Sequence, residues 1–166
     1  MTKKSYSIDF EYDYDFILIA ICSPLKDYHM CYKLNKELGT SLYRSRLDVS
    51  MDFFEGIEKA QFSLFEYWDK QYENQWYLIS NKCQILCDEE LQNKGTIFDG
   101  FIQNEKKTKY LIPENSKIDF YLQVHGIFSE NAKLEMIKNI KKLNLVVSAY
   151  EIRINDIASK ENLIIK

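Results

Sequence analysis

At 166 residues, with 46% hydrophobic and 14% aromatic side chains, the chain has the length and apolar content of one ordinary domain with its own core. Such a composition excludes a disordered polymer. A net charge of −3 and a pI near 5.5 argue against a general binder of phosphate backbones.

Four cysteines (Cys22, Cys31, Cys83, Cys87) stand in no secretory context, so reduced thiols and a cytoplasmic location are expected. The run FILIAIC (16–22) follows the acidic EYDYD (11–15), where a signal peptide would carry positive charge. Its seven apolar residues are also too few to cross a bilayer. No membrane association is expected.

In chain order, FILIAIC reads as a strand covered on both faces. Ser23 and Pro24 then read as N-cap and first helical residue. The helix they open has Met30, Cys31, Leu34 and Leu38 on one face and Gly39 as its terminator. SLYRSRLDVSM (41–51) alternates Tyr43, Ser45 and Leu47 against Arg44 and Arg46, which predicts a second strand.

AQFSLFEYW (60–68) and QWYLISN (75–81) predict two aromatic-rich strands joined by a polar loop. Residues 82–109 give the weakest pattern: a short helix or turn at CDEELQNKG, a short strand at TIFDGFI and an exposed loop at QNEKKTK (103–109). Further on, IDFYLQVHG (118–126) predicts a strand. Ser129 is a helix N-cap, and 130–143 a helix with Ala132, Met136, Ile140 and Leu143 on one side. LVVSAYEIRI (145–154) is a last strand.

DFILIA (15–20) and DFYLQV (119–124) share Asp-Phe-x-Leu, and each leads through a serine into a helix and then a strand. The expected fold is therefore α+β: a ferredoxin-like α/β sandwich of two β-α-β halves, 15–51 and 117–154, with an aromatic-rich hairpin block inserted at 60–109. All of it lies in one globular domain, 1–166. A three-layer α/β arrangement is the alternative.

The chemistry-bearing residues are few. There is no phosphate-cradling glycine loop, no GxSxG and no HExxH, and no cofactor or metal is expected. His29 sits two residues from Cys31 on a helix, hence on a different face, and a surface histidine is the favoured reading. His125 ends a strand before Gly126 with no group in sight to orient it. CQILC (83–87) lacks the second pair a zinc site needs, so free thiols are the default. DFEYDYD (9–15) lacks the glycine and final glutamate of a calcium loop. Phe62, Phe65, Tyr67, Trp68, Trp76 and Tyr77 could stack bases, but core packing is favoured because the acidic balance offers RNA no electrostatic partner.

In LIPENSKIDFYL (111–122), Pro113 presets a turn, and Ile112 before it is pushed to an extended conformation. Glu114 and Asp119 could accept backbone amides or pair with Arg44 or Arg46; acid–base work by the two together is the less favoured reading. Ile112-Pro113-Glu114, three residues, then Ile118-Asp119-Phe120 resembles the signature of the IPExxxVDY family, with Ile for Val and Phe for Tyr. LKDYHMCYKLN (25–35) and WYLISN (76–81) also look like that family. The resemblance implies a cytoplasmic protein of Bacteroidota, and it brings no activity with it.

The leading expectation for function is a non-enzymatic protein-binding or regulatory module with a protein partner or a homodimer; no small-molecule ligand is identifiable from the sequence. The inserted hairpin and segment 97–102 would be its contact surfaces. An enzyme using His125 with Glu114 or Asp119 is the alternative, and RNA binding a weaker one. No catalytic, cofactor-binding or metal-ligating residues are assigned, and a structural role is favoured for the six motif residues.

Overall fold

A computed structural model describes residues 14–52, 59–87 and 105–165. The apolar run forms β1 (Ile17–Cys22), followed by α1 (Asp27–Leu38). Segment 41–51 is not one strand. It divides into β2 (Tyr43–Arg44) and β3 (Val49–Asp52), which belong to different sheets. Segment 60–68 divides likewise at Ser63, into β4 (Lys59–Phe62) and β5 (Leu64–Asp69). β6 (Asn74–Ser80) returns beside β5, and the chain bends at Asn81 into β7 (Lys82–Cys87).

β8 (Glu105–Tyr110) pairs with β7 and occupies most of the expected exposed loop at 103–109. A 3-10 turn at Pro113–Asn115 leads into β9 (Phe120–His125), α2 (Glu130–Lys142) and β10 (Ser148–Glu151). The expected strand at TIFDGFI, the 97–102 surface and most of CDEELQNKG and DFEYDYD lie outside the described residues.

The coarse class expected from the sequence is the observed one: among the described residues, two helices and an antiparallel sheet of six strands in the order β10-β1-β9-β6-β5-β2. β6 and β1 are each antiparallel to β9, so they run parallel to one another. The aromatic hairpin β5/β6 is therefore part of the main sheet, with β6 paired to β9 from Gln75 to Ser80. β2 and β6 both run parallel to β1 after α1, but residues 41–51 supply only a two-residue edge, and β6 is the full-length strand that pairs with β9.

Both helices cover one face. Met30, Cys31 and Leu34 of α1 and Met136, Ile137 and Ile140 of α2 pack on Ile19, Ile21, Leu78, Leu122 and Val124. The buried stripe of α2 is turned from the expected one: Ile137 is inside and Ala132 exposed. On the other face Leu18, Ala20, Ile79 and Tyr121 are covered by Ala60 and Phe62 of β4, by Ile112 and Ile118, and by the closing segment with Ile157 and Leu163. β1 is thus covered twice, as its unbroken apolar run requires. The third layer is built of strands and turns instead of helices. The bends at Ser63 and Asn81 carry both arms of the hairpin out of the main sheet and over its second face.

Helix ends show which local signals hold. Ser129 caps α2 by accepting the Ala132 amide at 3.2 Å, and Gly39 ends α1 at φ 68°. Ser23 is not the cap of α1, which begins four residues later. Its hydroxyl donates to the Leu145 carbonyl at 2.8 Å, while its oxygen accepts the Leu25 amide at 3.3 Å in a turn that precedes the helix.

Candidate functional site

The Ile112–Phe120 motif and its surroundings form a joint between the two faces of the sheet. Ile112, Ile118 and Phe120 are buried, whereas Pro113 is exposed at the first position of the 3-10 turn, where its fixed φ fits. Asn81, fully buried at the bend between β6 and β7, ties this segment down. Its Nδ2 donates to the carbonyls of Asn115 (3.0 Å) and Ile118 (2.9 Å), and its Oδ1 accepts the Ile112 amide at 2.9 Å. Its own N–H donates to the Asp119 carbonyl at 2.8 Å, and its carbonyl accepts from Leu111 at 2.9 Å. Every polar group of the residue is satisfied.

Both motif carboxylates have structural partners, and neither is bonded to Arg44 or Arg46. Glu114 accepts the Ser159 amide at 2.7 Å and the Ser159 hydroxyl at 3.0 Å, which fastens the closing segment. Partial burial opposes the charge on Glu114, but the bonds from Ser159 prevail and hold the carboxyl below its ordinary range. Asp119 accepts the buried Ser23 amide at 2.7 Å on one oxygen and Lys82 Nζ at 2.6 Å on the other. Arg44 pairs with Asp48 and donates to the Leu64 carbonyl at 2.9 Å.

Asp119 and Lys82 lie in the wall of an open cleft of about 610 Å³ where β1, α1, β4, β7 and β9 converge. Lys26, Arg44 and Lys82 line it together with Asp27, Asp48 and Asp119, so the cleft has no net sign to recruit an anion. Cys83 stands in the same wall, its thiol raised by burial and so held in the less reactive protonated form.

His125 lies elsewhere. It closes β9 at the end opposite Asp119; six residues of extended chain separate them by about 20 Å. Its ring packs on Phe16, with centroids 4.9 Å apart, and its Nε2 meets Gln123 Nε2 at 2.8 Å. Burial lowers its pKa. No contact joins it to Glu114 or Asp119 among the described residues, so the proposed partners of the enzymatic reading are not brought together. His29 is exposed against Tyr28, and the Cys31 thiol is pushed up to about 11, by burial first and then by Asp27.

Of the hairpin aromatics weighed for base stacking, Phe62, Phe65 and Trp76 are buried, and only Trp68 is largely exposed. Cys83 and Cys87 stand four residues apart along β7, about 13 Å of extended backbone. Among the described residues, no group of three or more His, Cys, Asp or Glu is placed to hold a metal, and no helix is long and apolar enough to cross a membrane.

Sequence reasoning missed Asn81 as an organiser, and its only local signal is a polar residue ending a strand-like run. No family model, curated protein or solved structure matches the chain.

Proposed function

We propose that this chain is a non-enzymatic binding module that works through a protein partner, on a ferredoxin-like scaffold of the IPExxxVDY type. The observation that carries the reading is how the motif carboxylates are engaged: Glu114 by Ser159, Asp119 by the Ser23 amide and Lys82. A reacting acid–base pair needs a free group within hydrogen-bond reach of a substrate and of its helper. Here the two carboxylates fasten backbone.

The scaffold reading is supported by the order β10-β1-β9-β6, antiparallel at each step, with helices following β1 and β9 on one face. β5 and β2 extend that sheet. Family membership is supported by the distinct work of the motif positions, three in the core and two holding neighbouring segments. A cytoplasmic setting fits the free thiols of Cys22, Cys31 and Cys83.

Affinity capture of the intact chain from its native host, with light scattering of the purified protein, tests the reading. A reproducible partner or a stable self-assembly is expected. A strict monomer that captures nothing reproducibly would overturn it.

A further inference from the structure

We infer that the outer edge of β10, with the flank of α2 above it, is a docking surface for a second copy of this chain. The inference rests on the binding-module reading and names its partner. β10 ends the six-stranded sheet, and among the described residues no strand pairs with its far side. Ile152 donates its N–H to the Leu18 carbonyl, in register with the β10/β1 ladder. Antiparallel alternation then turns the backbone groups of Ala149 and Glu151 outward. Tyr150 lies between them, 45% exposed, on the face away from the helices. A two-fold axis at Tyr150 lets Ala149 of each copy exchange backbone bonds with Glu151 of the other. The two Tyr150 rings then meet at the closer, non-hydrogen-bonded spacing.

The charges on α2 say why the occupant is a second copy. Lys133 reaches from α2 to Glu151 at 3.0 Å, which fixes how the helix is turned over β10. At 100° per residue, Glu130, Leu134, Lys138 and Lys141 follow one another down a single flank. β9 and β10 are parallel, and the right-handed crossover between them turns that flank toward the open edge of the sheet.

All four side chains are exposed, Leu134 by 60%. The flank reads acid, apolar, base, base from N- to C-terminus. Reversed by a two-fold axis, it sets Glu130 against Lys138 and Lys141 of the other copy, and Leu134 against itself. The surface is self-complementary in charge and in backbone bonding, as an isologous interface requires.

Light scattering over a concentration series, with two charge variants, tests this. Wild type should shift from the 19.8 kDa chain toward twice that mass as concentration rises. Glu130→Lys makes the flank wholly basic, and Lys138→Glu with Lys141→Glu makes it wholly acidic. Each should be monomeric alone, and an equimolar mixture should recover the dimer, a recovery that also shows both variants folded. A wild-type dimer unmoved by either variant overturns the surface. A wild type that stays monomeric but captures another protein overturns the second copy and leaves the binding reading standing. A monomer with no partner overturns both.

Discussion

The fold alters the titration of Glu114, in the motif, and of His125, at the far end of β9, in opposite senses with respect to charge. Glu114 is held charged by Ser159, so its folded pKa lies below its unfolded one. The stability it contributes is present above the unfolded value, about 4.3, and is lost as pH falls through the folded value. Glu114→Ala should cost on the order of 1 kcal/mol near neutral pH in urea unfolding, and the cost should vanish in acid. His125 is held neutral by burial, so the unfolded chain takes up its proton first. Stability should be flat above the unfolded value, about 6.5, and should fall as pH drops below it. An NMR titration of the His125 ring that gives a value above 6.5 would contradict this account.

At the scale of single elements, two glycines separate conformational need from space. Gly39 ends α1 at φ 68° with nothing within 4 Å of an added Cβ. Gly126 follows β9 at φ 139°, and an added Cβ would fall 1.9 Å from Asn74 Oδ1. Gly39→Ala should cost about 1 kcal/mol of backbone strain. Gly126→Ala should cost more, since strain is joined by displacement of the buried Asn74. Equal denaturation midpoints for the two variants would contradict the contact.

The same scale shows what the sequence makes legible. β1 can be read because a run of apolar residues covered on both faces leaves an unbroken signature. α2 can be read because Ser129 and its amide partner lie three residues apart. The start of α1 cannot, because Ser23 accepts the Leu25 amide in a turn before the helix and donates to Leu145, 122 residues away. The division of 41–51 and 60–68 is hidden for a similar reason. Period-2 alternation reports which face a residue takes and does not report which sheet the strand joins.

For the whole molecule, the joint at Asn81 and the Ile112–Phe120 segment holds the third layer against the sheet. The residues of the motif itself are legible in the sequence as a turn before a strand. Their partners are not, since Asn81 lies 31 to 37 residues from the groups its side chain binds. Lys82 is equally distant from Asp119. Nothing local marks Asn81 as different from any polar residue at the end of a strand. Only the folded chain shows that five hydrogen bonds converge on it, three at its side chain and two at its backbone.

The central claim is that this motif, tied down by Asn81, is a joint of the scaffold. Equilibrium unfolding of Asn81→Ala tests it most directly. The substitution leaves the Ile112 amide and the Ile118 carbonyl without their buried partner, so the loss should be about 2 to 4 kcal/mol in a single cooperative transition. A folded Asn81→Ala variant whose stability lies within about 0.5 kcal/mol of wild type, the range of an ordinary surface change, would contradict it.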